Sequence, residues 1–154
     1  MIQGINYNLN LVAHIRDIAH WTYNSRFGGN LKIETMKEFI LFIRNVGDPI
    51  RSLSEERQQE HIQKIGGFIH KMVGEGKMKA AQPLKMQGSI ISFENGGFTE
   101  VPFDESKEVV SGYYIIQAID LHEAILIAKS DPRFEDGKWR IEVRQIMKID
   151  GINE

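Results

Sequence analysis

Short runs of apolar residues, two of them apolar in both alternation classes, set the frame of this chain. Residues 38–44, EFILFIR, place Phe39, Leu41 and Ile43 on one side and Ile40 and Phe42 on the other. A strand apolar on both sides is covered on both sides, so this run predicts a central strand. Residues 113–119 repeat the pattern: Tyr113, Ile115 and Gln117 alternate with Tyr114, Ile116 and Ala118. Residues 139–148 behave differently. Trp139, Ile141 and Val143 alternate with Arg140, Glu142 and Arg144, which predicts a strand with one apolar and one charged face. Residues 84–93, LKMQGSIISF, predict a further strand weakened by Gly88. Asn95-Gly96 then signals a hairpin turn, with residues 98–101 pairing back.

Between these runs the spacing becomes helical. Ser52-Leu53-Ser54-Glu55 fits a capping box, after which Ile62, Ile65, Ile69, Met72 and Val73 recur at three- and four-residue steps, with Phe68 alongside. Gly66 and Gly67 cost about 1 kcal/mol each relative to alanine inside a helix and are read as close packing against the sheet. Gly74 and Gly76 end the helix. Asp120-Leu121-His122-Glu123 is a second capping box; it opens a helix through Lys129 with Leu121, Ala124, Ile125 and Ala128 inward, stopped by Pro132.

The resulting order, β-α-β-β-α-β, is the α+β plan of the ferredoxin-like fold. Right-handed crossovers make the first and third strands the central pair of an antiparallel sheet, with two helices on one face. The other face is left apolar. A homodimer with sheets packed face to face, a dimeric α+β barrel, covers it most economically. The alternative is that residues 1–35 fold over it.

Those residues read apart from the rest. Asn6, Asn8 and Asn10 alternate with apolar neighbours, and Gly28-Gly29-Asn30 makes a break before Met36. The expected organisation is an N-terminal extension over residues 1–35 and one α+β domain over residues 36–150. With 154 residues and formal net charge -2, acids and bases interspersed, no basic field speaks for nucleic acid. No run approaches the ~20 apolar residues of a membrane span, so no membrane association is expected. The absence of cysteine excludes disulfides and thiolate metal sites and fits a reducing, cytoplasmic setting.

Residues 100–108, Glu-Val-Pro-Phe-Asp-Glu-Ser-Lys-Glu, followed by Gly112-Tyr113-Tyr114, resemble the signature of the YCII-related family in its DGPF-type branch. That signature reads Asp-Gly-Pro-Phe, a variable residue, Glu, Ser or Thr, Lys and Glu, then Gly-Tyr-Tyr. Asp120, Glu123-Ala124 and Glu142-Val143-Arg144 extend the match. The resemblance implies a dimeric α+β barrel with a cleft beside each sheet, and relatives that act on small, often aromatic, substrates. Two positions depart from it: Glu100 lengthens the carboxylate, and Val101 replaces a glycine whose conformational freedom it lacks.

The expected catalytic residues are Glu100, Lys107, Glu108 and Arg144. A loop carboxylate serves as general base where burial raises its pKa, and Lys107 or Arg144 holds a carboxylate or enolate. Phe103, Tyr113 and Tyr114 are the expected substrate-binding residues. Each has a bland counterpart: ion pairing for the charged run and for Arg140, Glu142 and Arg144, and core packing for the tyrosines. His14 and His20 are six residues apart, and His61 and His70 nine, spacings that put neither pair on one helix face; His122 is expected at the surface. Glu100, Asp104 and Glu105 are a weak carboxylate-rich grouping, and no metal or other cofactor is expected. The expected function is a homodimer with a small-molecule cleft, running cofactor-free acid/base chemistry on a small organic or aromatic acid. The rival is a non-catalytic binding or regulatory interaction module. Deleting residues 1–35 is expected to leave a chain that melts cooperatively, as far-UV circular dichroism would record; an unfolded product would reject the extension.

Overall fold

The computed structural model describes residues 35–104 and 106–153. Expectations resting on residues 1–34, including His14 and His20, and on Glu105 lie outside these. The elements run β1 (Lys37–Val46), α1 (Glu55–Gly74), β2 (Met78–Pro83), β3 (Ser89–Glu94), β4 (Gly97–Pro102), β5 (Glu108–Ala118), α2 (Leu121–Lys129), a 3-10 turn (Pro132–Asp136) and β6 (Arg140–Gln145). Four strands form a sheet in the order β2-β5-β1-β6, and every neighbouring pair is antiparallel. β3 and β4 form a separate ribbon. The main sheet and its two helices are the ferredoxin-like arrangement, with β1 and β5 at the centre.

Phe39, Leu41 and Ile43 of β1 and Tyr114, Ile116 and Ala118 of β5 are buried on the face that meets the helices. Met72 of α1 and Ala124, Ile127 and Ala128 of α2 close over them. On the opposite face, Ile40 and Phe42 pair with Ile115 and Tyr113, all four half-buried. The β1–β5 register shifts between Ile43 and Arg44: Ile43 pairs with Gly112 but Arg44 with Val110, so Ser111 bulges.

The second strand is not where the pattern placed it. The edge strand is β2, whereas residues 84–93 lead away from the sheet and supply β3. β2 reads MKAAQP, poor in the β-branched and aromatic residues that mark a strand. Pro83 has no N–H to give a ladder, which an edge tolerates. The hairpin turn is as expected, with Asn95 and Gly96 at φ 53° and 81°.

Helix α1 keeps most of the stripe read in the sequence, with Met72 buried and Phe68 and Ile69 packed against the core, but departs from it at two positions. Ile62 and Val73 are exposed, while His61 is buried with its ring stacked on Trp139 at 5.9 Å between centroids. Ser54 caps α1 without a side-chain hydrogen bond, so the first capping box does not form. The second does: Asp120 Oδ1 accepts from Glu123 N at 2.8 Å, and Glu123 Oε2 accepts from Ile119 N at 2.8 Å. Glu123 also pairs with Lys77, and that bond, ahead of the backbone one, holds its carboxyl below the usual range. In α2 Leu121 faces solvent and Ile127 takes the buried place expected of it. The helix stops at Lys129, before Pro132, which instead starts the 3-10 turn. No helix among the described residues is long and apolar enough to cross a membrane.

Gly66 and Gly67 do not mark close packing: a Cβ at either would meet nothing within 4 Å, and both face solvent. Gly66→Ala and Gly67→Ala are therefore expected to stabilise the protein by up to about 1 kcal/mol each, read from denaturant midpoints at constant slope.

Candidate functional site

A cavity of about 320 Å³ opens between α1, the helix-side ends of β1 and β5, the edge strand β2 and the 3-10 turn. Its walls are largely aliphatic: Ile43 from β1, Ile65 and Ile69 from α1, Ile50, Leu84 and Met86 from the connecting segments. One end is polar, and three neighbours in space build it. Tyr114 arrives from β5, Arg133 from the 3-10 turn and Trp139 from the residue before β6.

Asp131 positions this end. It caps the 3-10 turn, its Oδ1 accepting from Arg133 N at 2.9 Å. Its Oδ2 accepts from Arg133 Nη1 at 2.8 Å. The Asp131 side chain is 0% exposed and that of Arg133 14%, so this ion pair is largely out of water. A buried carboxylate is costly unless paired and hydrogen-bonded, and these two bonds meet that condition. Arg133 Nη1 also donates to the Tyr114 hydroxyl. The guanidinium carbon lies 5.5 Å from the centroid of the Tyr114 ring and 5.6 Å from that of Trp139, within cation–π range of both. Nε and Nη2 of Arg133 have no hydrogen-bond partner among the described residues. Those two N–H groups form the edge of a guanidinium that receives a carboxylate in bidentate fashion.

Burial pushes the Tyr114 phenol up to about 12; Arg133 opposes the rise and Asp131 adds to it. At neutral pH Tyr114 is thus a neutral phenol that keeps its proton. Behind the polar end, His61 Nδ1 lies 3.3 Å from Asp136 Oδ2. Among the described residues, three buried polar atoms, Asn45 Oδ1, His61 Nε2 and Trp139 Nε1, lack a hydrogen-bond partner. Asn45 and Trp139 line the cavity themselves.

The residues singled out in the sequence are dispersed over four places. Tyr113 and Tyr114 both border the cavity. Glu108 and Arg144 belong to a charged network on the opposite face of the sheet. Arg44 bridges Glu108 at 3.0 Å and Glu142 at 2.7 Å, Arg140 adds a contact to Glu108 at 3.2 Å, and Arg144 lies 3.8 Å from Glu142. Lys107 pairs with Asp104 at 3.5 Å in the exposed turn before β5. The hydrogen bonds from Ser106, side chain before backbone, hold the Asp104 carboxyl below its usual range. Glu100 stands exposed on β4 opposite Ile91. Phe103 closes the base of the ribbon: its N donates to Gly88 O at 2.9 Å, and a Cβ on Gly88 would come within 2.8 Å of its ring.

Asp131, Arg133 and His61 gained no site role from the sequence. The legible signal was Asp131-Pro132, a turn-initiating dipeptide just past a helix. That the turn folds Arg133 back beneath β5 has no local signature.

A family model described as the YCII-related domain matches residues 39–150. No curated protein matches the chain.

The raised Tyr114 pKa has a stability consequence. An unfolded tyrosine ionises near 10 and folded Tyr114 near 12, so its contribution is complete below pH 10 and is lost as pH rises towards 12. Tyr114→Phe is expected to remove this share of the alkaline loss of stability, measured as denaturant midpoint against pH between about 9 and 12.

Proposed function

This chain belongs to the YCII-related family, and on that premise we propose that it is a homodimer that takes a small organic acid into the cavity beside Tyr114 and Arg133. The observation that carries this reading is a single one: an aliphatic cavity of about 320 Å³ closed at one end by a half-buried arginine whose Nε and Nη2 have no hydrogen-bond partner among the described residues. A pocket of that size, mostly apolar with few convergent polar groups, suits a small ligand. A carboxylate set against Nε and Nη2 of Arg133 leaves the ligand's apolar part against Ile65 and Ile69. The neutral Tyr114 hydroxyl supports cofactor-free acid/base chemistry, because a substrate oxygen gaining negative charge next to it finds a hydrogen-bond donor in a water-poor site. The dimer is supported by the apolar patch of Ile40, Phe42, Tyr113 and Ile115 on the face away from the helices. The DGPF-type signature at residues 100–108 points the same way.

A non-catalytic binding or interaction module is the second reading. The exposed apolar side chains of the β3–β4 ribbon favour it.

Thermal shift against small aromatic and aliphatic acids separates the possibilities. An acid at ~100 times its dissociation constant is expected to stabilise by about 2.7 kcal/mol. Arg133→Lys, which keeps the charge but loses the fork, is expected to abolish the shift, and Arg144→Ala to preserve it. The reverse pattern would move the ligand to the open face of the sheet, and no shift with any acid would favour the interaction module.

A further inference from the structure

The β3–β4 ribbon has a face that the other described residues leave open. Its register pairs Ile91 with Glu100 and Phe93 with Phe98 on that face. The two phenylalanine rings meet edge to face at 5.0 Å, yet Phe93 is 62% and Phe98 80% exposed. Two strands alone are marginal in water, and a two-stranded ribbon that shows three large apolar side chains and one carboxylate on one face is built to be covered.

Charge identifies the cover. Between residues 89 and 102 the ribbon carries Glu94 and Glu100 and no lysine or arginine. The open face of the main sheet carries the opposite balance across β5, β1 and β6: Arg44, Arg140 and Arg144 against Glu108 and Glu142. Arg144 makes the longest ion pair of these, 3.8 Å from its partner, and is 67% exposed. Beside it lies the apolar patch of Ile40 and Phe42. The ribbon leaves the sheet between β2 and β5, whereas β6 is the opposite edge. A second copy presents its β6 without that separation.

We infer that the β3–β4 ribbon is a clasp between two copies of this chain, its Ile91, Phe93 and Phe98 lying on the open sheet face of the other copy and its Glu100 pairing with the Arg144 of that copy. This rests on the proposed homodimer and goes beyond it, since it assigns the ribbon and one intermolecular ion pair. Two-fold symmetry makes the contact twice.

Charge reversal tests it without disturbing the core, because both side chains are exposed. Glu100→Arg alone and Arg144→Glu alone each set two like-charged pairs in the dimer. Each is expected to weaken dimerisation at least about tenfold by sedimentation equilibrium, with circular dichroism unchanged. Mixing the two variants restores both pairs in the heterodimer, so the mixture is expected to dimerise like the wild type. Rescue by the double variant but not by mixing would put the ribbon on its own sheet and overturn the clasp. Unweakened single variants would overturn it while leaving the dimer standing, and would give the ribbon another occupant, such as the segment before residue 35. A monomeric wild type would remove dimer and clasp together.

Discussion

The pairing of β1 with β5 is the constraint on which the rest of the structure depends. Phe39 stands opposite Ile116 and Leu41 opposite Tyr114 on one side; Ile40 stands opposite Ile115 and Phe42 opposite Tyr113 on the other. Phe39, Leu41 and Ile116 are fully buried, so this ladder is where the chain removes its largest side chains from water. Both helices, the edge strands and the cavity are arranged around it. The cavity lies over the end of that pair near Gly112, where the edge strand runs so close that an added Cβ would come within 3.0 Å of Gln82 O.

The central strands were legible because their composition left no alternative: runs apolar in both alternation classes have only one home in an α+β sheet. The Asn95-Gly96 turn, the second capping box and the alternation of Trp139, Ile141 and Val143 were equally plain, each a local signal with a local cause. β2 was not legible, because an edge strand needs no strong strand formers and MKAAQP has none. The buried face of α1 was misread near its start, because His61, a polar residue, is inside and Ile62, an apolar one, is outside. Stacking on Trp139, more than fifty residues further along the chain, decides that, and helical spacing alone carries no information about it.

The cavity divides in the same way. Gly112-Tyr113-Tyr114 drew notice in the sequence and Tyr114 does reach the polar end. Arg133 and Asp131 did not, since an Asp-Pro-Arg turn is ordinary until the fold brings it under a tyrosine. The charged run at residues 104–108 stood out for its density, yet the fold spends it on turn geometry at Asp104 and on a surface ion-pair network at Glu108. Such partly exposed pairs contribute little to stability individually. The Asp131–Arg133 pair, far less conspicuous in the sequence, is the one whose loss strands a charge away from water.

The bulge at Ser111 has a consequence for how one strand serves two surfaces. Without it, Glu108, Val110, Gly112 and Tyr114 would share a side, since side chains alternate strictly along a strand. The extra residue breaks that parity, so β5 presents Tyr114 to the helix side while Glu108 meets Arg44 on the other. The same strand paired without the bulge would turn that carboxylate to the helix side and leave Arg44 without it. The two faces of this sheet, cavity and charged surface, are therefore kept in phase by a single residue of backbone slack.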